Sequence, residues 1–172
     1  ESKTKARLGV ASRKDAKKWF DVFVQKQGLK QGFKVKEIQA GLIPLYSKQQ
    51  KLQHDNCYLL GDASGFVKAT TLGGIIPGLK QAEILVDCIT NGKNYETEIK
   101  PLRKRMNLHM QLRRIFDKFE DKDWDKLIVL FGQEKIQKIL QEHTRENPLP
   151  LVLKALWREP RLIYYLKFLG FL

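Results

Sequence analysis

Apolar side chains recur every three or four residues from about residue 74 to the end, a spacing typical of helices that bury one face. The pattern predicts helices over about 74–91, 94–119, 122–131, 133–143, 149–157 and 160–170. Asn91-Gly92 is a candidate C-terminal cap for the first of these helices, and Pro77 lies in its first turn, where a missing N–H costs little. Asn147-Pro148 and Glu159-Pro160 mark the clearest breaks. This part of the chain is therefore predicted to be all helical.

The first third of the chain mixes extended and helical patterns. Apolar and polar positions alternate over residues 5–11 and 33–43, which predicts two strands. Between them, Ser12 is a candidate N-cap for a helix over 13–27. A polar loop then leads to Tyr58-Leu59-Leu60, a short apolar run typical of a strand buried on both faces. Together these patterns predict an α+β fold that is rich in helix.

Composition narrows the class of protein. The 172 residues include 32 Lys and Arg against 19 Asp and Glu, and the net charge of +13 raises the question of an anionic partner. Histidines and cysteines are not grouped at metal-ligand spacing, so no metal site is predicted. Cys57 and Cys88 stand alone in apolar contexts, and we expect buried thiols in a reducing compartment. No signal peptide or long apolar run is recognisable, which favours a cytoplasmic protein and leaves a peripheral membrane contact open.

The most informative segment is residues 57–74, where an apolar run, a Gly-Asp turn and a glycine pair follow one another. The turn reads Gly61-Asp62-Ala63-Ser64-Gly65. A buried strand that ends in Gly-Asp places one carboxylate at the edge of a sheet, where open α/β folds bind ligands. The pair Gly73-Gly74 then opens a helix, whose bare N–H groups favour electron-rich oxygen. This segment is therefore predicted to contact a cofactor.

Residues 55–65, followed by Thr71-Leu72-Gly73-Gly74-Ile75, resemble the second flavin-binding motif of FAD-dependent oxidoreductases, and the geranylgeranyl reductase family in particular. Upstream, Gly41-Leu42-Ile43-Pro44 stands where those enzymes carry a similar Gly-x-Ile-Pro sequence. The resemblance covers roughly residues 5–119 and is most specific over 55–75.

The resemblance implies a division of the chain. Residues 1–93 would hold the end of a substrate-side sheet, the flavin motif and its helix, and residues 94–172 would form a helical region of an FAD/NAD(P)-binding-type flavoprotein. The family's Gly-x-Gly-x-x-Gly fingerprint for the ADP half of FAD and its aromatic substrate motif are absent from the sequence. We expect both to lie before Glu1, in the N-terminal remainder of the same enzyme. The chain alone would then be inactive and would not hold FAD tightly.

The resemblance also implies roles for five residues. Asp62, beside Gly61, would hydrogen-bond a ribityl hydroxyl of FAD. The N–H groups of Gly73, Gly74 and Ile75 would face the pyrimidine edge of the flavin ring, where reduced flavin carries negative charge that a helix N-terminus stabilises. The implied reaction is the reduction of C=C bonds in a polyprenyl (geranylgeranyl) lipid or a related isoprenoid. No residue stands out as a proton donor, so the catalytic residues are unknown.

Other side chains near the motif are predicted to be structural. Lys68 is expected to be a solvated loop lysine, with approach to a flavin or phosphate as the alternative. His109 is expected to be a helix-surface histidine. The apolar tail over 156–172 is predicted either to dock on its own domain or to act as an interfacial anchor. The basic positions at 103–105 and 113–114 are expected to be a solvated helix face or a contact with anionic lipid headgroups.

Three other functions compete with a polyprenyl reductase. A flavin hydroxylase or a quinone-linked dehydrogenase uses a similar Gly-Asp motif. A nucleic-acid-binding module would account for the basic charge, but the aromatic residues stand at core spacing and no recognition signature is present, so nucleic acid is not the expected partner. A regulatory domain that kept the fold and lost the flavin is the third. Leu72 favours such a regulatory domain, because a glycine is common at this position in the family. Ser64 and Ala69 also differ from the family, which usually has an alanine and a proline at these positions.

Overall fold

The fold is helix-rich α+β, as the sequence predicts. It is seen in a computed structural model that describes residues 5–28, 34–144 and 146–169. The chain divides into two compact units between Gly41 and Leu42. The functional division at residue 93 is a different boundary and stays a prediction.

The first unit contains one described helix, α1, over Ala16–Lys26. It begins three residues later than predicted, after Asp15, whose backbone is left-handed (φ 53°). Ser12 is not the N-cap, because its hydroxyl donates to the Lys14 carbonyl at 2.6 Å and closes a turn before the helix. No residue of α1 is buried.

The predicted strands over 5–11 and 33–43 are wrong. Lys5 has an isolated bridge, residues 6–11 and 34–43 have no regular secondary structure, and Phe33 lies outside the described residues. Val35 and Ile38 are 72% and 85% exposed, so the alternating pattern does not correspond to a buried face. A strand needs a neighbour to pair its N–H and C=O groups, and alternation alone does not supply one.

A short hairpin replaces the predicted buried strand at 58–60. Strand β1 (Gln53–His54) pairs antiparallel with β2 (Cys57–Tyr58), in the register Gln53 opposite Tyr58. The ladder continues through one further bond, in which the Leu59 N–H donates to the Leu52 carbonyl at 2.8 Å. Leu60 and Cys57 are exposed, so burial on both faces and a buried Cys57 thiol were wrong.

The helical predictions after residue 74 are largely confirmed. The helices are α2 (Ile75–Asn91), α3 (Tyr95–Glu98), α4 (Lys100–Phe116), α5 (Asp121–Phe131), α6 (Glu134–Glu142) and α7 (Pro148–Arg158). Gly92 caps α2 in the left-handed conformation (φ 64°), as expected. The single helix predicted over 94–119 is instead divided at Ile99, because Pro101 starts a new helix at a position that needs no N–H donor. The predicted last helix is a 3₁₀ segment over Pro160–Leu169.

Two hydrophobic clusters hold the second unit together. The first packs α2, α3 and α4 against the segment that follows the Gly-Asp turn, and its buried members include Phe66, Leu85, Cys88, Tyr95 and Met106. The second packs α5, α6, α7 and the 3₁₀ segment, and it includes Leu127, Ile136, Ala155, Leu162 and Tyr165. The buried Cys88 is confirmed, and the inner face of the tail docks on its own domain. Within the described ranges, no helix has the length and apolarity needed to span a membrane.

Candidate functional site

The Gly-Asp turn, residues 61–65, follows directly on the hairpin. Gly61–Ser64 form a 3₁₀ turn, and the chain leaves it through Gly65 in the left-handed region (φ 73°). The Ser64 hydroxyl donates to the Gly61 carbonyl at 2.6 Å, and the Gly65 N–H donates to the Asp62 carbonyl at 2.9 Å. These bonds fold the chain back on itself, so the Asp62 side chain projects from a turn of fixed shape.

Gln81 of α2 attaches this turn to the helix, and it is fully buried. Its Oε1 accepts from the Gly61 N–H at 2.9 Å and lies 2.8 Å from the Ser64 hydroxyl oxygen. Its Nε2 donates to the Leu59 carbonyl at 3.2 Å. Buried polar groups left unpaired cost about 1–3 kcal/mol each, so this network holds the turn firmly on α2. Gln81 was not predicted, although a glutamine on the inner face of an apolar helix is a local signal for such a contact.

Asp62 lies against the N-terminus of α2. A Cβ built on Gly74 would lie 2.7 Å from Asp62 Oδ1 and 3.2 Å from Val67 Cγ2, so a side chain there would have to displace the Asp62 carboxylate. The carboxylate is exposed, and it lies at the positive end of the helix dipole. The structure thus brings together two of the residues that the sequence analysis singled out, 12 positions apart.

Residues 66–74, which we call the glycine loop, connect the turn to α2. The Lys68 N–H donates to the Gly73 carbonyl at 3.1 Å, and the Leu72 N–H donates to the Lys68 carbonyl at 2.8 Å. Leu72 has a positive φ of 57°, which is uncommon for a residue other than glycine. Leucine therefore adopts the backbone conformation that a glycine takes without steric cost.

The glycine loop ends in a row of N–H groups at the start of α2. The first N–H groups of a helix have no intrahelical acceptor. Those of Gly73, Gly74 and Ile75 have no acceptor anywhere in the part of the chain that the structure describes. An exposed carboxylate and unpaired backbone donors therefore stand side by side, an arrangement that suits a ligand with both hydroxyl donors and electron-rich acceptors.

Lys68 is not the solvated lysine that the sequence predicts. Its side chain is largely buried, and it forms an ion pair with Glu146, which precedes α7. The same side chain passes under the loop, since a Cβ on Gly73 would lie 3.2 Å from Lys68 Cε. Lys68 thus joins the glycine loop to a segment 78 positions away in the sequence.

His109 is also buried rather than on the helix surface, with 2% of its area exposed. Its Nδ1 lies 2.8 Å from the Thr70 hydroxyl oxygen, and its Nε2 is buried without a partner in the described structure. Burial lowers the pKa of His109 below its ordinary value of 6.5; the Lys68 charge also lowers it, and Glu146 opposes the shift. Arg113 lies one turn further along α4 and donates to the Ala69 carbonyl at 3.1 Å.

The site lies at the surface, because Asp62 and Ile75 are both exposed. A concavity of about 260 Å³ between the hairpin and the segment after α2 is lined by Gln53, Tyr58, Cys88 and Tyr95, among others, and by no residue of the turn or the glycine loop. Among the described residues, no cluster of three His, Cys, Asp or Glu side chains could hold a metal ion.

Comparison with known proteins finds a curated reductase of similar sequence. No protein-family model and no solved structure matches the chain. The chain is similar to digeranylgeranylglycerophospholipid reductase 3 of Methanosphaera stadtmanae, with 26% identity over 143 residues. The match covers 76% of this chain and 36% of that reductase, so the chain spans well under half the relative's length. At this identity the likeness suggests the family without establishing membership.

Proposed function

We propose that this chain is the C-terminal part of an FAD-dependent oxidoreductase that reduces C=C bonds of a polyprenyl (geranylgeranyl) lipid. The observation that carries the proposal is the contact between the Asp62 carboxylate and Gly74, with the unpaired N–H groups of Gly73 and Ile75 on either side. The similar reductase of Methanosphaera stadtmanae, whose name specifies a digeranylgeranyl lipid, supports the same class of substrate.

The residues present fit FAD. The exposed Asp62 carboxylate suits a ribityl hydroxyl donor, and the close approach at Gly74 leaves that side of the helix end free of any side chain. The N–H groups of Gly73, Gly74 and Ile75 would donate to the pyrimidine edge of the ring and stabilise negative charge there. When bound, FAD supplies the hydride that an alkene accepts. This chain's own contribution is to orient the ring and to stabilise its charge.

The remainder of the site is proposed to come from an N-terminal part of the same enzyme. The chain spans 36% of its relative's length, and Asp62 and Ile75 at the site are exposed. The α2 face that begins at the site is apolar and exposed, through Ile75, Leu79, Val86 and Ile89. A stripe of this kind at helical spacing is typical of a face that another element covers.

A peripheral membrane contact is part of the same proposal, because the substrate is a lipid. The outer face of α7 exposes Leu149, Leu153 and Trp157 at intervals of four residues. The Arg158 guanidinium lies 5.8 Å from the centre of the Trp157 ring. Apolar side chains with basic neighbours are the pattern of a helix that lies in the membrane interface.

Product analysis of the full gene product tests the reaction. We expect incubation with a polyprenyl lipid and a chemical reductant such as dithionite to remove C=C bonds, seen by mass spectrometry as a gain of about two mass units per reduced bond, without oxygen incorporation. Oxygen in the product would indicate a flavin hydroxylase, and transfer of electrons to a quinone with the lipid unchanged would indicate a quinone-linked dehydrogenase. Either result overturns the reductase proposal.

A further inference from the structure

The hydrogen bonds and the ion pair that side chains form with residues 68–70 of the glycine loop come from the C-terminal helical region, within the ranges the structure describes. Two of the partners belong to α4. The Thr70 hydroxyl lies within hydrogen-bond distance of His109 Nδ1, and the Ala69 carbonyl accepts from Arg113. Lys68 is paired with Glu146, in the segment between α6 and α7. The glycine loop ends at the predicted flavin edge. It is thus held by α4 and by the segment before α7, through contacts that do not involve the Gly-Asp turn.

Lys68 is the central contact, because its backbone is hydrogen-bonded to both Leu72 and Gly73 of the loop. Its carbonyl accepts from the Leu72 N–H and its own N–H donates to the Gly73 carbonyl, so a displacement of Lys68 moves both residues. Its side chain lies under Gly73 on the way to Glu146. A shift at the ion pair would therefore reach the N–H groups at the start of α2.

We propose that the C-terminal helical region positions the glycine loop at the flavin edge, and that the Lys68–Glu146 ion pair is the positioning contact. This inference rests on the proposed function, since it assigns the helices after residue 94 a role in that same site. Lys68 is a positioning residue and not a direct electrostatic partner of the ring, because the Glu146 carboxylate compensates its charge within a largely buried pair.

Amide hydrogen exchange in the full gene product tests the positioning without reference to flavin. The reporters are the Lys68 and Leu72 N–H groups, whose hydrogen bonds close the loop. Removing one partner of a buried ion pair is strongly destabilising, whereas replacing both with apolar residues is often nearly neutral. We expect Lys68→Met and Glu146→Gln each to speed exchange at the reporters by about tenfold or more, and the double variant K68M/E146M to return it towards the parent rate.

Lys138→Met is the matched control, because Lys138 forms an exposed ion pair with Glu134 at 2.8 Å on α6. It should leave exchange at both reporters unchanged. Unchanged exchange in both single variants, or the same acceleration in the control, would overturn the proposal.

The midpoint potential of bound flavin separates positioning from direct charge. If the pair positions the N–H groups, Lys68→Met and Glu146→Gln both lower the potential and weaken FAD binding about tenfold, because both withdraw donors that stabilise reduced flavin. If Lys68 acted by its charge, the two variants would shift the potential in opposite directions, and the positioning role would be wrong. A full gene product that binds no flavin would overturn the proposed function, while the exchange result would still decide whether the C-terminal region holds the loop.

Discussion

At the scale of single residues, the site depends on a close approach between the Gly74 backbone and the Asp62 carboxylate, which a side chain at position 74 would displace. Gly74 lies under Asp62 Oδ1, and the 2.7 Å separation from a built Cβ is shorter than real Cβ contacts. Gly61 supplies the other requirement, a positive φ of 56° at the start of the turn. The role of Gly74 therefore follows from its close contact with Asp62, and the role of Gly61 from its backbone conformation.

Gly74→Ala should therefore displace the Asp62 carboxylate or the start of α2. We expect weaker flavin binding, because the carboxylate has to move, and a smaller loss in the free energy of unfolding than at an overpacked core position, because the exposed carboxylate can rotate away. Urea denaturation and flavin titration of the full gene product measure the two effects. Gly41→Ala is the control, because a Cβ there meets nothing within 4 Å. Equal behaviour of the two variants would contradict the close approach.

His109 should make stability depend on pH. Its pKa is lowered below 6.5 by burial and by the Lys68 charge. A group of this kind contributes its full stability above pH 6.5, and the contribution is lost as the pH falls towards the lower folded-state value, because the unfolded chain binds the proton first.

His109→Gln should flatten the unfolding free energy between about pH 7.5 and 5.5, relative to the parent protein. An unchanged slope in His109→Gln would show that His109 is not the group responsible.

At the scale of elements, helices and strands differ in how far local sequence determines them. Helix α2 was predicted within one residue of its bounds, because its apolar spacing, Pro77 and Gly92 are all local signals. The strands over 5–11 and 33–43 failed because pairing requires a second segment, which alternation does not identify. The same distinction explains why the exposed Cys57 and the buried His109 were misjudged: burial depends on which neighbour packs there.

The same distinction holds for the candidate site: residues that are close in the sequence were predicted together, and contacts between distant residues were not. Asp62 and the glycine pair at 73–74 are close in the sequence, and their motif is visible in one segment. Lys68 and Glu146 are 78 positions apart, and nothing local connects them. Gln81 is intermediate, since its position on α2 was known but its contact with the Gly-Asp turn was not.

The outer face of α7 makes a prediction of its own. We expect the full gene product to sediment with vesicles that contain anionic lipid, and Trp157→Ser to weaken that binding several-fold, since the ring is 78% exposed and its loss should not disturb the core. Val129→Ser, an exposed apolar position on α5, is the control and should bind as the parent does. Equal binding of both variants and the parent would exclude α7 as the contact.

At the scale of the whole molecule, the two hydrophobic clusters support different parts of the proposed site. The first fixes α2 and α4 around the Gly-Asp turn, and the second builds the helical region that carries Glu146 and α7. The exposed apolar stripe of α2 and the 36% coverage of the relative both favour a site that further protein completes. On this account the chain supplies one edge of a flavin site and the support that holds it.

The most direct test of that account is the flavin content of the full gene product, measured by visible absorbance of the purified parent protein and the Asp62→Ala variant. Asp62 is exposed and no side-chain hydrogen bond to it is seen within the described residues, so its loss should leave the fold intact. We predict stoichiometric FAD in the parent and a loss of about tenfold or more in affinity in the variant, because a charge-assisted hydrogen bond to the ribityl chain is removed. Equal flavin content and affinity in the two proteins, or a colourless parent, would contradict the central claim.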